Sequence, residues 1–408
     1  MLKFTTSLTD DMTTSSLRVA LINYILSQQR KENLIIHIED MDKEKTIKGK
    51  DKEILDILSL FNISYSQVIY QSQNIRFYSA MALQLLHEKK AFSCFCSSNW
   101  LDKKLKEAKK AKKTYRYDDA CKNLSAELVI DNTSPFTIRI SKPENIENID
   151  SFIIMNQDKT PTYNFACAVD DMLSDISIVI RDEDHMDDTL KQEHIRKSLN
   201  YDKKIEYVHL PIILSDNVFS VKWLLENGYL PEAISNYLIL MGNKLPKEIF
   251  NINEATEWFD LSKMSKSPVH FDIDTLKHIN KEHLKSLDAK ELSRYVGFAD
   301  EEIGKLAHIY LEEAGTTKEL KAKITQIFTK RNISEEFAGQ AVLMTKTIKE
   351  APYFEEYNDF KNYVIKTSTL KEKDFVKLLR ILLTNAEHGP DLVQIYKYLK
   401  NYIGEIIK

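Results

Sequence analysis

Three clusters of side chains in this sequence could do chemistry. Five carboxylates fall within seven residues at Asp182, Glu183, Asp184, Asp187 and Asp188. Such a run either holds a divalent cation through its oxygens or forms a solvated acidic turn, and without a cation it repels a triphosphate. Eight cations, Lys103, Lys104, Lys106, Lys109, Lys110, Lys112, Lys113 and Arg116, crowd one short segment. They form either a solvated helix face or a strip of phosphate contacts, which give affinity without sequence information. Three of the four cysteines, Cys94, Cys96 and Cys121, flank that segment, and they do not make a secreted disulfide framework. Glycine is scarce: nine in 408 residues, with none between Gly49 and Gly228. Average usage is roughly 7%, and no glycine-rich phosphate cradle is visible over that span.

The elements that must position these groups follow from the apolar pattern. LKF opens a strand, and Leu17, Ala20, Leu21, Tyr24 and Ile25 mark one helix face. NLIIHIED is a β-branched run ending in acids, and KDKEILDILSLF is again helical. This alternation predicts a parallel sheet with crossover helices. The cysteine cluster and the lysine-rich helix interrupt it near residues 90–125, and strand-like runs resume at SFIIM, ISIVIR and YVHLPIIL. From about Glu232 onward the pattern is helical, as in IGKLAHIYLEEA and KDFVKLLRILL. The apolar fraction of 43% with 29% charge is that of a globular protein, and a net charge of −4 argues against sequence-blind nucleic-acid binding. No apolar run reaches the roughly 18–20 residues that span a bilayer. The N-terminus has no charged and then apolar leader, so a cytoplasmic protein is expected.

Five segments, in order, resemble the glutamyl-tRNA synthetase family of class I aminoacyl-tRNA synthetases. HIEDMDKEKTIKGK (His37–Lys50) is similar to its R-I-E-D-T-D segment, and KTPTYNFACAVDD (Lys159–Asp171) to its P-T-Y-N-F-A…D-D strand and turn. VIRDEDHMDDTLKQ (Val179–Gln192) resembles V-I-R-G-D-D-H-x-x-N-T-x-x-Q, and SVKWLLENGYLPEAISNYLILMGN (Ser220–Asn243) the helices around G-Y-L-P-E-A. LKEKDFVKLLRILLTNAEHGPDL (Leu370–Leu392) resembles the C-terminal anticodon-binding domain. The resemblance implies an α/β class I synthetase-type Rossmann domain over residues 1–250, with a zinc-bearing, acceptor-binding insertion at about 75–150. A connecting stem-contact segment at 251–285 and an all-α anticodon-binding-like domain at 286–408 would follow.

Carried over residue by residue, Lys3, Ser7, Glu39, Tyr163 and Arg181 take the positions that hold glutamate. The family's arginine for the side-chain carboxylate is Lys3, which keeps the charge but loses the bidentate fork. Cys167 takes the asparagine-or-small position. On the ATP side the H-I-G-H-type signature is replaced by Thr13, Thr14, Ser15 and Ser16, which supply no cation. The K-M-S-K-type loop belongs between HLPIIL and SVKWLL, where only Ser215–Phe219 stand. Lys263-Met264-Ser265-Lys266-Ser267 spells that signature in the linker where the family has S-x-S-P-A-x-F-D, and is read as a chance match. The resemblance further implies a structural zinc held by Cys94, Cys96, Tyr117 and Cys121. It also implies acceptor-stem tRNA contacts from Lys109, Lys110, Lys112, Lys113 and Arg116.

Three functions fit these residues. The leading expectation is a divergent paralogue that binds tRNA, glutamate or both, with adenylation and aminoacylation impaired or lost. The alternative is an active glutamate–tRNA ligase with a remodelled ATP site. The third is a regulatory or structural subunit that uses the scaffold to hold a protein partner. None of them involves a membrane.

Overall fold

The computed structural model describes every residue except 114, 145–148, 183–185, 216, 218, 244–245, 369–371 and 408, and describes the backbone alone at 182, 186–187, 336 and 372–374. Glu183 and Asp184 of the acidic run therefore lie outside the described residues, as do the side chains of Asp182 and Asp187.

The chain forms two compact units. The first comprises Met1–Leu214 and Ala255–His270. Its opening is the alternation read from the sequence: strand β1 (Leu2–Ser7), helix α1 (Thr14–Arg30), β2 (Leu34–Glu39), α2 (Lys50–Leu60) and β3 (Gln67–Tyr70). The β-branched run of β2 is buried from Leu34 to Ile38, as expected of a parallel strand covered on both faces. Thr13 starts α1 by accepting a hydrogen bond from the Ser16 amide, which satisfies one of the free donors of the first turn. Next come α3 (Ile75–His87), β4 (Ala91–Cys94), α4 (Ser98–Lys110), α5 (Ala126–Ile130), β5 (Thr137–Ile140) and β6 (Phe152–Met155). Strands β4, β5 and β6 form a separate antiparallel sheet.

The chain then returns to the parallel sheet through α6 (Tyr163–Leu173), β7 (Ile178–Asp182), α7 (Met186–Ser198) and β8 (Glu206–Leu210). The order is β3-β2-β1-β7-β8, with every pairing parallel. The order reverses direction between β1 and β7. In open α/β sheets, the crevice outside the strands' carboxyl ends at such a reversal is the usual ligand site. Short strands β9 (Ile213–Leu214) and β10 (Val269–His270) make a further parallel pair. The apolar core around α3 and α6 includes Tyr78, Leu85, Ile140, Ile154, Phe165 and Val169, all buried.

The second unit, Ser215–Glu254 with Phe271–Lys408, is helical. The helices Ala289–Tyr295 and Glu301–Tyr310 pack closely, and a Cβ placed on Gly304 would lie 1.7 Å from the Ala289 carbonyl oxygen. Only glycine allows the two backbones to meet there. A Rossmann-type parallel sheet with a helical C-terminal region is thus the architecture observed.

Candidate active site

At the carboxyl ends of β1, β2 and β7 the first unit opens into a cavity of about 390 Å³. Lys3, Ser7, Glu39, Tyr163 and Arg181 all line it, with Cys167, Thr13 and Ser16. The local folding explains the convergence. Lys3, Thr5 and Ser7 share one face of β1 because side chains alternate along a strand. Glu39 is the last residue of β2 and Tyr163 the first of α6, while Cys167 lies one turn further along α6. Thr14 and Ser15 sit in the first turn of α1 but do not line the cavity.

The charges are not free to wander. Lys3 Nζ forms an ion pair with Asp171 of α6, and both are buried. Burial alone would lower the Lys3 ammonium, but the Asp171 carboxylate outweighs it and raises the group. Arg181 donates to the Thr189 hydroxyl and, at 3.5 Å, to the Gln192 side chain, and its guanidinium lies 5.0 Å from the Tyr207 ring centroid. The Cys167 thiol faces a Glu39 carboxylate oxygen at 3.9 Å, and burial first of all pushes that thiol well above its ordinary range.

Asp10 and Asp11 also line the cavity, on the side of α1. Lys50 Nζ lies 2.5 Å from Asp11 and 3.0 Å from Glu53, and the ammonium is raised chiefly by the Asp11 contact. Sequence reasoning did not single out Asp11, Lys50 or Gln192 as site residues. The available signal for Gln192 was its helical spacing from Asp188 and Thr189 on α7. Lys263 and Lys266 do not line the cavity; Lys263 pairs with Asp260 at 3.3 Å, and Met264 Sδ is 3.8 Å from the Arg18 guanidinium.

The cysteine cluster closes on itself. The sulfurs of Cys94, Cys96 and Cys121 lie within 4.8 Å of one another. The Tyr117 hydroxyl is 3.4 Å from Cys94 and 3.5 Å from Cys96. Burial would raise the Cys94 thiol, but the Tyr117 hydroxyl, a backbone amide and the Arg139 guanidinium bring it down to about 7. Arg139 donates from Nε to Cys94 Sγ at 3.3 Å. Three converging thiols with a phenol beside them fit a tetrahedral, thiolate-rich metal site in donor type and number. The adjoining α4 has no buried residue, and Lys109, Lys110, Lys112 and Lys113 are exposed along its end and the following turn. Arg116 is 3.8 Å from Asp150.

A family model described as tRNA synthetases class I (E and Q), catalytic domain, matches residues 14–278. Glutamate–tRNA ligase 2 of Sulfurimonas denitrificans is 63% identical, with all of both chains covered. Glutamate–tRNA ligase 1 of Nitratiruptor is 47% identical over the same full extent. Among solved structures, a glutamate tRNA ligase from Elizabethkingia meningosepticum in complex with its amino acid superposes with a TM-score of 0.84 at 21% identity, covering 99% of this chain and 98% of that one. That likeness concerns the fold, while the sequence matches extend over the whole chain. The chain belongs to the glutamyl-tRNA synthetase family of class I aminoacyl-tRNA synthetases.

Proposed function

We propose that the protein is a glutamate–tRNA ligase, converting ATP, glutamate and tRNA to glutamyl-tRNA, AMP and pyrophosphate. The observation that carries this reading is the charge pattern of the cavity. Two cations, Lys3 and Arg181, and one anion, Glu39, stand on the sheet side of the cavity, while its other two carboxylates, Asp10 and Asp11, lie on the side of α1. Glutamate carries the complementary set, two carboxylates and one ammonium. On this reading Glu39 takes the ammonium, and Arg181 and Lys3 take the carboxylates. Ser7 and Tyr163 close the site with neutral donors. ATP lies on the side of α1, where backbone amides at the helix N-terminus favour a phosphate. The relatives named as ligases match along their full length, which weighs toward a working enzyme over the impaired paralogue that the signature positions alone suggest.

A specific observation keeps the impaired form as the second reading. Asp10 and Asp11 put carboxylates on the ATP side, and Thr13 and Ser16 offer no cation there. ATP–pyrophosphate exchange with glutamate, with and without total tRNA from a related bacterium, separates the two. Exchange above background with tRNA present is the expected result. No exchange in a folded sample that still binds tRNA would overturn the ligase reading and leave a binding protein.

The proposal includes a structural zinc on Cys94, Cys96, Cys121 and Tyr117, which supplies a closed cross-link and no step of the reaction. Loading the purified chain with cobalt(II) should give thiolate-to-metal charge-transfer absorption that Cys121→Ser abolishes. Because the metal would tie the two ends of the lysine-rich segment together, the same variant should weaken tRNA binding and expose that segment to protease. An unchanged cobalt spectrum in Cys121→Ser would exclude that thiol as a ligand. The lysines at the end of α4, with Arg116, are proposed to contact the tRNA acceptor stem. The proposed location is the cytoplasm, where the substrate is; no helix among the described residues is long and apolar enough to cross a membrane.

A further inference from the structure

At the floor of the cavity, Lys3 joins a buried charge cluster whose other members, Asp171 and Arg196, have no part in the reaction proposed above. Asp171 of α6 is 0% exposed, Lys3 of β1 7% and Arg196 of α7 3%. Asp171 Oδ1 pairs with Lys3 Nζ, and its Oδ2 lies 3.7 Å from a terminal nitrogen of Arg196. Apart from these two cations, no described group hydrogen-bonds to either oxygen. The Arg196 guanidinium lies 5.6 Å from the Tyr207 ring centroid, on the ring that also meets Arg181 at 5.0 Å.

Lys3 and Arg196 share Asp171, and the buried Asp170 carboxylate also acts on Lys3, so the ammonium is compensated from its own side of the cavity floor. A buried charge has to be paired, and the pairing fixes where it sits. Lysine also differs from arginine in having no rigid fork. Its ammonium is a point charge on a flexible stem, so its direction is set by whatever holds it. Here that group is Asp171. We propose that Asp171, backed by Arg196, is a positioning residue that fixes the Lys3 ammonium at the cavity floor and thereby selects a ligand with a side-chain carboxylate over the corresponding carboxamide. This inference rests on the reading that the cavity binds glutamate.

Equilibrium binding of glutamate and of glutamine to the full chain, followed by calorimetry, tests it without requiring turnover. The wild type is expected to prefer glutamate. Asp171→Asn should lose about tenfold or more in glutamate affinity, the scale of one charge-assisted hydrogen bond, with glutamine affinity changing less than about threefold. Lys3→Met should show the same loss, and Lys3→Met/Asp171→Asn no further loss, because the two act through one contact. The double variant removes both members of the pair, so it is expected to fold even if Asp171→Asn alone does not. In that case Arg196→Met, which keeps the Lys3–Asp171 pair, should lower the glutamate preference by about threefold, within the coupling expected of contacting residues. A folded Asp171→Asn with wild-type preference, or one that loses both ligands equally, overturns the positioning role. A wild type that binds neither ligand overturns the glutamate reading itself.

Discussion

Arg181→Ala is expected to lower glutamate-dependent pyrophosphate exchange by about 10²–10³-fold, the range typical for removing one preorganised donor from a reaction centre. The side chain is preorganised from three directions. Thr189 and Gln192 on α7 accept from its terminal nitrogens, and its Cζ lies 5.0 Å from the ring centroid of Tyr207 on β8. A guanidinium held in this way has little freedom left to lose when a carboxylate arrives, which is why its removal should act on affinity and rate together. Arg181→Lys should fall between the two, since a point charge cannot keep both helix contacts and present a planar fork. The measurement is kcat/KM for glutamate in the exchange assay, with calorimetric glutamate binding as a readout that does not depend on ATP. A fall of less than about threefold in both would mean that the substrate carboxylate is held elsewhere, with Lys3 the remaining cation of the cavity.

The parallel sheet was legible because its strands are buried on both faces and so read as continuous apolar runs; LIIHIE shows this best. The five residues that the resemblance alone assigns to glutamate line one cavity for a simple topological reason. Most of them end a strand or begin a helix at the carboxyl edge of the sheet. What could not be read were pairings between elements distant in sequence. Nothing local to Lys3 reveals that Asp171 neutralises it, and nothing in the exposed-looking KGKDKE stretch reveals that Lys50 is buried against Asp11. Nor does the run NLIIHIED reveal that His37 is buried with a carboxylate partner, Asp170. The string Lys263–Ser267 shows the converse. Its letters spell a phosphate-handling signature, but its lysines lie outside the cavity, and position rather than composition decides what a lysine can do. The loss of signature letters around Thr13–Ser16 bears on the positions that the resemblance assigns to ATP, whereas those it assigns to glutamate still line one cavity on the same scaffold.

Asp170→Ala should destabilise the first unit by about 3–5 kcal/mol, the cost of breaking a buried charged network by removing one member. Three elements meet at this carboxylate. His37 Nε2 of β2 lies 2.8 Å away, the Tyr78 hydroxyl of α3 donates at 2.7 Å, and Asn74 Nδ2 at 2.7 Å. Burial and the adjacent Asp170 charge push the Tyr78 phenol up, which keeps it a donor to that carboxylate. Alanine would leave an amide and an imidazole facing a void without this acceptor, and the phenol with only the Gln71 carbonyl at 3.3 Å, and each unsatisfied buried group costs about 1–3 kcal/mol. At roughly 2–4 °C per kcal/mol for a unit of this size, the thermal midpoint should fall by about 6–20 °C. Asp170→Asn should be milder, since it keeps one acceptor oxygen while turning an amide donor toward other donors. The consequence reaches the site, because α6 carries Tyr163 and Cys167 into the cavity on one end and Asp170 on its buried face. Glutamate affinity should therefore fall in Asp170→Ala even well below its melting temperature. A midpoint within about 2 °C of wild type, less than 1 kcal/mol on the same scale, would instead place the anchoring of α6 in its apolar contacts, Phe165, Ala168 and Val169, with the carboxylate network only satisfying groups that those contacts had already buried.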